Sequence, residues 1–82
     1  MTQETYESDI ITFLTNNILA EGVVVTPQTV LRETGIDSYS IVEIILFIER
    51  QYNYVMPDHL LKSENFVTVA TIAALLNNRQ IH

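Results

Sequence analysis

Few of the 82 residues are of a type that does chemistry, and their spacing narrows the field further. There is no cysteine, so disulfides and thiolate chemistry are excluded. The two histidines, His59 and His82, lack carboxylates at metal-ligand spacing. No nucleophile or orienting acid stands at a suggestive distance from His59 either. Neither a metal site nor a catalytic residue is therefore expected. What remains is Gly35-Ile36-Asp37-Ser38, which closes an irregular stretch and opens a periodic one. A serine at a helix start ordinarily serves as an N-cap. Here Asp37 and Ser40 can also cap, which leaves the Ser38 hydroxyl available. Free N–H groups and the positive end of the dipole make a helix N-terminus an anion site. A phosphate esterified to Ser38 would sit in that favourable field. Spacing alone leaves both readings open.

Helices with irregular connectors must position this motif. Ile, Val, Leu and Phe supply 29 residues, well above the range of disordered chains. The chain is expected to fold as a single domain over residues 1–82. Only two glycines and two prolines punctuate it. Tyr6, Ile10, Phe13, Leu14 and Ile18 form one apolar stripe, which predicts a helix over residues 3–20 capped by Thr2. Gly22 stands where a left-handed helix terminator belongs. Val23, Val24 and Val25 suit a strand but find no partner strand. They are read as the start of a long loop whose valines pack on the helices, with Val30 and Leu31 pinning it to the core.

A second helix is predicted over residues 38–52, with capping-box spacing in Ser40-x-x-Glu43 and Asn53 as its end. A short helical turn follows over residues 57–62, then a connector holding Phe66. A last helix over residues 68–77 is capped by Thr68 and striped by Val69, Ile72, Ala73 and Leu76. The expected fold class is all-α: a small four-helix bundle of three main helices and one short one. Tyr52 and Tyr54 are read as core and rim, Arg32-Glu33 as a solvated pair, and residues 77–82 as a frayed tail.

Charge and hydropathy remove several partners. Four basic against ten acidic residues give a formal net charge of −6. That balance argues against nucleic acid and against an anionic membrane surface. Residues 1–9 lack the basic and apolar regions of a signal peptide. The densest apolar run, residues 41–48, is interrupted by Glu43 and too short to span a bilayer. A soluble, cytoplasmic monomer is expected.

The second helix carries two apolar stripes. At about 100° per residue, Ile41, Ile44, Ile45, Ile48 and Tyr52 share one face, which predicts the core side. Tyr39, Val42 and Leu46 fall on nearly the opposite face, rimmed by Glu43, Glu49 and Arg50. A helix in a small bundle needs only one apolar face, so the second predicts a partner-docking surface. Burial all round is the competing reading. Phe47 lies beside the strip and either extends it or folds over the edge of the core.

In full, Gly35-Ile36-Asp37-Ser38-Tyr39-Ser40-Ile41-Val42-Glu43-Ile44 resembles the signature of acyl carrier and peptidyl carrier proteins. Met56-Pro57-Asp58, Thr68-Val69, Val25-Thr26-Pro27 and Val30-Leu31 resemble further landmarks of that family. The resemblance implies a 4′-phosphopantetheine arm on Ser38, installed by a phosphopantetheinyl transferase from coenzyme A. It implies that Asp37 helps the transferase hold magnesium. Tyr39, Val42 and Leu46 match the family's apolar docking positions, and Glu43 its acidic one. It also implies a non-catalytic carrier whose partners are an acyl- or aminoacyl-loading ligase and downstream synthase enzymes. The arm's own thiol would hold the cargo as a thioester.

Four positions depart from the pattern. Tyr39 replaces the family's usual leucine. Ser40 replaces the aspartate of fatty-acid carriers, and Arg50-Gln51 replace their glutamates. A helix with Glu43 and Glu49 as its only acids predicts dedicated partners, those of a secondary-metabolite pathway (polyketide, nonribosomal-peptide or aminoacyl-transfer). The alternatives are a housekeeping fatty-acid carrier, or an unmodified helical adaptor that binds through Tyr39, Val42 and Leu46.

Overall fold

The computed structural model describes residues 2–79. Three α-helices and three single 3-10 turns follow one another, with no strand among the described residues. Helix α1 spans Gln3–Asn17, α2 Ser38–Tyr52 and α3 Val69–Asn77. Each starts on the kind of cap that its sequence offers. Thr2 accepts the Thr5 N–H, Asp37 the Ser40 N–H and Thr68 the Thr71 N–H. Asn53, at φ 51°, ends α2 in the left-handed conformation.

The apolar stripes meet in one core. Tyr6, Ile10 and Leu14 come from α1, Ile44 and Ile48 from α2, and Val69, Ile72, Ala73 and Leu76 from α3. The connectors add Val25, Leu31, Ile36, Met56 and Phe66. No polar or charged residue is buried among those described. Each fully buried Ile or Leu contributes roughly 1.5–3 kcal/mol. No described helix is long and apolar enough to cross a membrane.

The all-α expectation holds, with corrections at four places. First, α1 stops at Asn17 instead of residue 20. The Asn17 amide bonds back to the Phe13 carbonyl at 3.0 Å, and Leu19 N–H reaches past its normal partner to the Leu14 carbonyl at 2.8 Å. Asparagine competes for backbone groups in this way and so ends helices. Gly22, at φ 86°, instead serves the following reverse turn, closed by Val23 N–H on the Ala20 carbonyl. Second, the three valines do not all pack. Val25 is buried, Val23 half-buried and Val24 84% exposed, the alternation of an extended segment.

Third, the short fourth helix is reduced to two 3-10 turns, Asp58–Leu60 and Ser63–Phe66, the latter within the expected connector. The chain leaves helical geometry at Leu61 and is extended at Lys62. The Lys62 N–H turns back to the Leu60 carbonyl at 2.9 Å, and the Asn65 amide donates to the same carbonyl at 2.7 Å, which closes the turn instead of extending it. Fourth, the tail is not simply frayed. Arg79 donates to the Tyr6 hydroxyl at 2.7 Å and to the Leu76 carbonyl at 2.9 Å. Its guanidinium lies 5.3–6.0 Å from the ring centroids of Tyr6, Tyr52 and Tyr54. Residues 80–82 of the expected tail, His82 among them, lie outside the described residues.

The loop that delivers the motif is tied down by backbone. Ala70 N–H donates to the Pro27 carbonyl at 2.8 Å, and Leu31 N–H to the Val67 carbonyl at 2.9 Å. Both bonds join it to the entry of α3. Leu31 then opens a 3-10 turn, Leu31–Thr34, in which Arg32 and Glu33 are exposed as expected.

Candidate functional site

Gly35 closes that 3-10 turn at φ 93°, a conformation that L side chains rarely adopt. Ile36, next in line, is buried and anchors the segment. Asp37 follows as the N-cap of α2, accepting the Ser40 N–H at 3.0 Å. The expected capping box at Ser40 is therefore not used: Ser40 lies one turn inside the helix, donating to the cap. Ser38 becomes the first helical residue. Its side chain is exposed and makes no hydrogen bond to a described residue. Its hydroxyl is thus accessible at a helix N-terminus, where the field favours an anion.

The same bond acts on Asp37 itself. The Ser40 N–H holds the Asp37 carboxyl below the usual aspartate range, so this group stays ionised at neutral pH. Among the described residues no three potential ligands are grouped to hold a metal of the chain's own.

Beside Ser38 lies a cleft of about 620 Å³. Buried Leu31, Ile36 and Phe66 and half-buried Ile41 and Ile45 give it apolar walls. Arg32, Lys62 and Glu64 stand at its exposed rim, with Lys62 and Glu64 loosely paired at 3.8 Å. Leu61 and Val67, both exposed, also border it. Sequence reasoning missed this cleft. Its walls come from four separate segments, and no linear spacing links residue 31 to residue 66.

The outward strip is where the wheel placed it. Tyr39 is 72%, Val42 52% and Leu46 42% exposed, whereas Ile44 and Ile48 on the opposite face are fully buried. Burial all round is thereby ruled out. Glu43 is half-buried, and Glu49 and Arg50 are exposed. Phe47 does not extend the strip. It folds over the edge of the core and stacks on Phe13, with centroids 4.4 Å apart. Tyr52 faces α1, where its hydroxyl donates to Asp9 at 2.8 Å and its ring meets Tyr6 edge-on. Burial, then the bond to Asp9, pushes the Tyr52 phenol well above its ordinary range. His59 is exposed on its 3-10 turn.

Comparison with known proteins bears on this geometry. A family model described as the phosphopantetheine attachment site matches residues 15–76. In a comparison of folds, the chain is similar to one in the crystal structure of a Bradyrhizobium japonicum glycine–carrier protein ligase complexed with glycylated carrier protein. The TM-score is 0.70 and the identity 27%, with 89% of this chain and 96% of that chain covered. No curated protein sequence matches significantly. The family match spans both the loop that sets Ser38 at the head of α2 and the strip behind it. The chain belongs to the phosphopantetheine-attachment family, whose domain takes the 4′-phosphopantetheine group covalently and carries a cargo without catalysing its chemistry.

Proposed function

We propose that Ser38 is the attachment point and that residues 1–82 act as one carrier unit, a cytoplasmic monomer, for an acyl or aminoacyl group. The observation that carries this reading is the division of labour at the head of α2. Asp37 does the capping, and Ser38 is left with an exposed, unengaged hydroxyl in the field of the helix N-terminus. The arm, once attached, supplies a terminal thiol on which the cargo rides as a thioester. The chain's own residues anchor and present it. Ionised Asp37 offers a carboxylate oxygen to the magnesium of the phosphopantetheinyl transferase. Tyr39, Val42 and Leu46 bury apolar surface against a partner, and Glu43 contributes charge.

The glycylated carrier with which this chain shares 27% identity supports an aminoacyl cargo and a loading ligase as partner. Ser40, Arg50 and Gln51 support a dedicated pathway of secondary metabolism or aminoacyl transfer over housekeeping fatty-acid synthesis, because they thin the acidic face. The test is intact mass after incubation with coenzyme A and a broad-specificity transferase. The wild type is expected to gain one arm and Ser38→Ala none, with an unchanged fold. Arm attachment to Ser38→Ala, or none to the wild type, would overturn the assignment of Ser38. The latter result would favour an unmodified adaptor. Turnover by a housekeeping ketosynthase equal to that of the cell's own fatty-acid carrier would remove the dedicated pathway.

A further inference from the structure

The end of the bundle away from Ser38 is closed by a single side chain. Tyr52 ends α2, about 20 Å along the axis from Ser38 at 1.5 Å per residue. There α2 meets the start of α1: the Tyr52 hydroxyl donates to Asp9, and its ring lies edge-on to Tyr6. Arg79 reaches both from beyond α3. Its Nη1 donates to the Leu76 carbonyl at 2.9 Å and also to the Tyr6 hydroxyl at 2.7 Å. Its guanidinium lies 5.3 Å from the Tyr6 ring centroid, 6.0 Å from that of Tyr52 and 5.6 Å from that of Tyr54.

An arginine past a helix end ordinarily serves the last carbonyls and the dipole. Leu76 alone would satisfy that role, and the three tyrosines exceed it. Ten acids face four bases in this chain, yet Arg79 pairs with no described carboxylate. It is held by rings, a hydroxyl and a carbonyl. Tyr6 is 5% exposed, and its hydroxyl has no other partner among the described residues. Removing Arg79 would therefore strip a buried polar group of its bond. Asn77 and Asn78 are exposed, so the grip of this segment on α1 and α2 rests on Arg79. The Ser38 end is secured by other means: the Asp37 cap on the Ser40 N–H, buried Ile36, and the backbone bonds of the preceding loop to the entry of α3.

We infer that Arg79 is a conformational latch. It holds the last turn of α2 and Tyr54 against α1, and its release loosens that end while the Ser38 end keeps its geometry. Helices open locally where few contacts hold them, and here one side chain joins the ends of all three. The inference is independent of what Ser38 carries.

The experiment measures backbone ¹⁵N order parameters on the full-length chain, for the wild type, Arg79→Ala and Tyr6→Phe, with circular dichroism to check the fold. In Arg79→Ala, residues 51–55 are expected to fall from the rigid range, about 0.85, to below about 0.6, while residues 38–44 keep their wild-type values. Tyr6→Phe keeps the ring and removes the acceptor, so a smaller fall at the same residues is expected. Should Arg79→Ala not fold, Tyr6→Phe is read in its place by the same criteria. Unchanged values at residues 51–55 in both variants would overturn the latch. So would an equal fall in all three helices, which would make Arg79 a support of the whole core.

Discussion

The two long faces of α2 are built from nearly the same residues and meet opposite fates. Ile44 and Ile48 on one side are completely buried against α1 and α3. Val42 and Leu46 on the other, each two positions from a buried isoleucine, stand open to solvent. Side-chain type does not separate them, since all four are branched aliphatics. Angular position does, because a helix turns about 200° in two residues. The inward face holds the domain together. The outward face has no structural task within the chain, and so is free to be read by another molecule.

The sharpest way to break this comparison is to place a charge on each face. Ile48→Asp puts a carboxylate without a partner into an apolar core, at a cost of several kcal/mol. A domain of this size has a total stability of about 5 kcal/mol. Loss of the cooperative melt in circular dichroism at 25 °C is the expected result. A folded Ile48→Asp protein would mean that the core around α2 can open, and the division between faces would fail.

Much of this division was legible in the sequence because it rests on one period. The caps at Thr2 and Thr68, the burial of Ile44 and Ile48 and the exposure of Tyr39, Val42 and Leu46 follow from spacing and capping chemistry. What was not legible escapes the apolar period. The Asn17 and Asn65 amides turn back to carbonyls four and five residues earlier, a local competition that apolar spacing does not register, and there α1 shortens and the fourth helix gives way to turns. Arg79 finds three tyrosines from two other parts of the chain. The cleft beside Ser38 is likewise made by residues that no periodicity connects. Within the site, Ser38 and Asp37 were readable as a motif. Which of Asp37, Ser38 and Ser40 does the capping was left to the geometry.

A milder probe of the inward face is Tyr52→Phe. It removes the hydroxyl bond to Asp9 and keeps the ring against Tyr6 and Phe47. A loss of about 1–2 kcal/mol is expected, because Asp9 is half-buried and regains water. The fold favours the protonated phenol, whose pKa is raised above its unfolded value of about 10. Its contribution is therefore complete below pH 10 and is lost as pH rises through the higher folded value. Melting curves above pH 10 should fall more steeply for the wild type than for Tyr52→Phe. Equal slopes would mean that the bond contributes nothing.

At the junction of the two faces, Asp37→Asn keeps a capping side chain and removes its titration. The Asp37 pKa is lowered in the fold, so its stabilising effect is present above the ordinary aspartate value and lost as pH falls through the folded one. The wild type should melt slightly above Asp37→Asn at pH 7, and the gap should close in acid. Arm attachment should slow at pH 7 regardless, because the amide cannot offer a charged oxygen to magnesium. Unchanged attachment would leave Asp37 with a capping role alone.

The smallest expected change in stability comes from the outward face, and it carries the largest functional contrast. Leu46→Asp and Val42→Asp put a charge where the side chain already meets water, so the melt should shift by no more than about 0.5 kcal/mol. Docking is another matter, because the partner would have to desolvate that carboxylate against an apolar surface. Such variants should fold, accept the arm at high transferase concentration and then fail to be charged by a ligase at carrier concentrations that saturate the wild type. If Leu46→Asp destabilised the protein as much as Ile48→Asp, the strip would be part of the core in solution. If it were charged normally, the exposure of Leu46 would have no bearing on partner choice, and docking would have to run through the rim of the cleft, where Leu61 and Val67 are the exposed apolar groups beside Ser38.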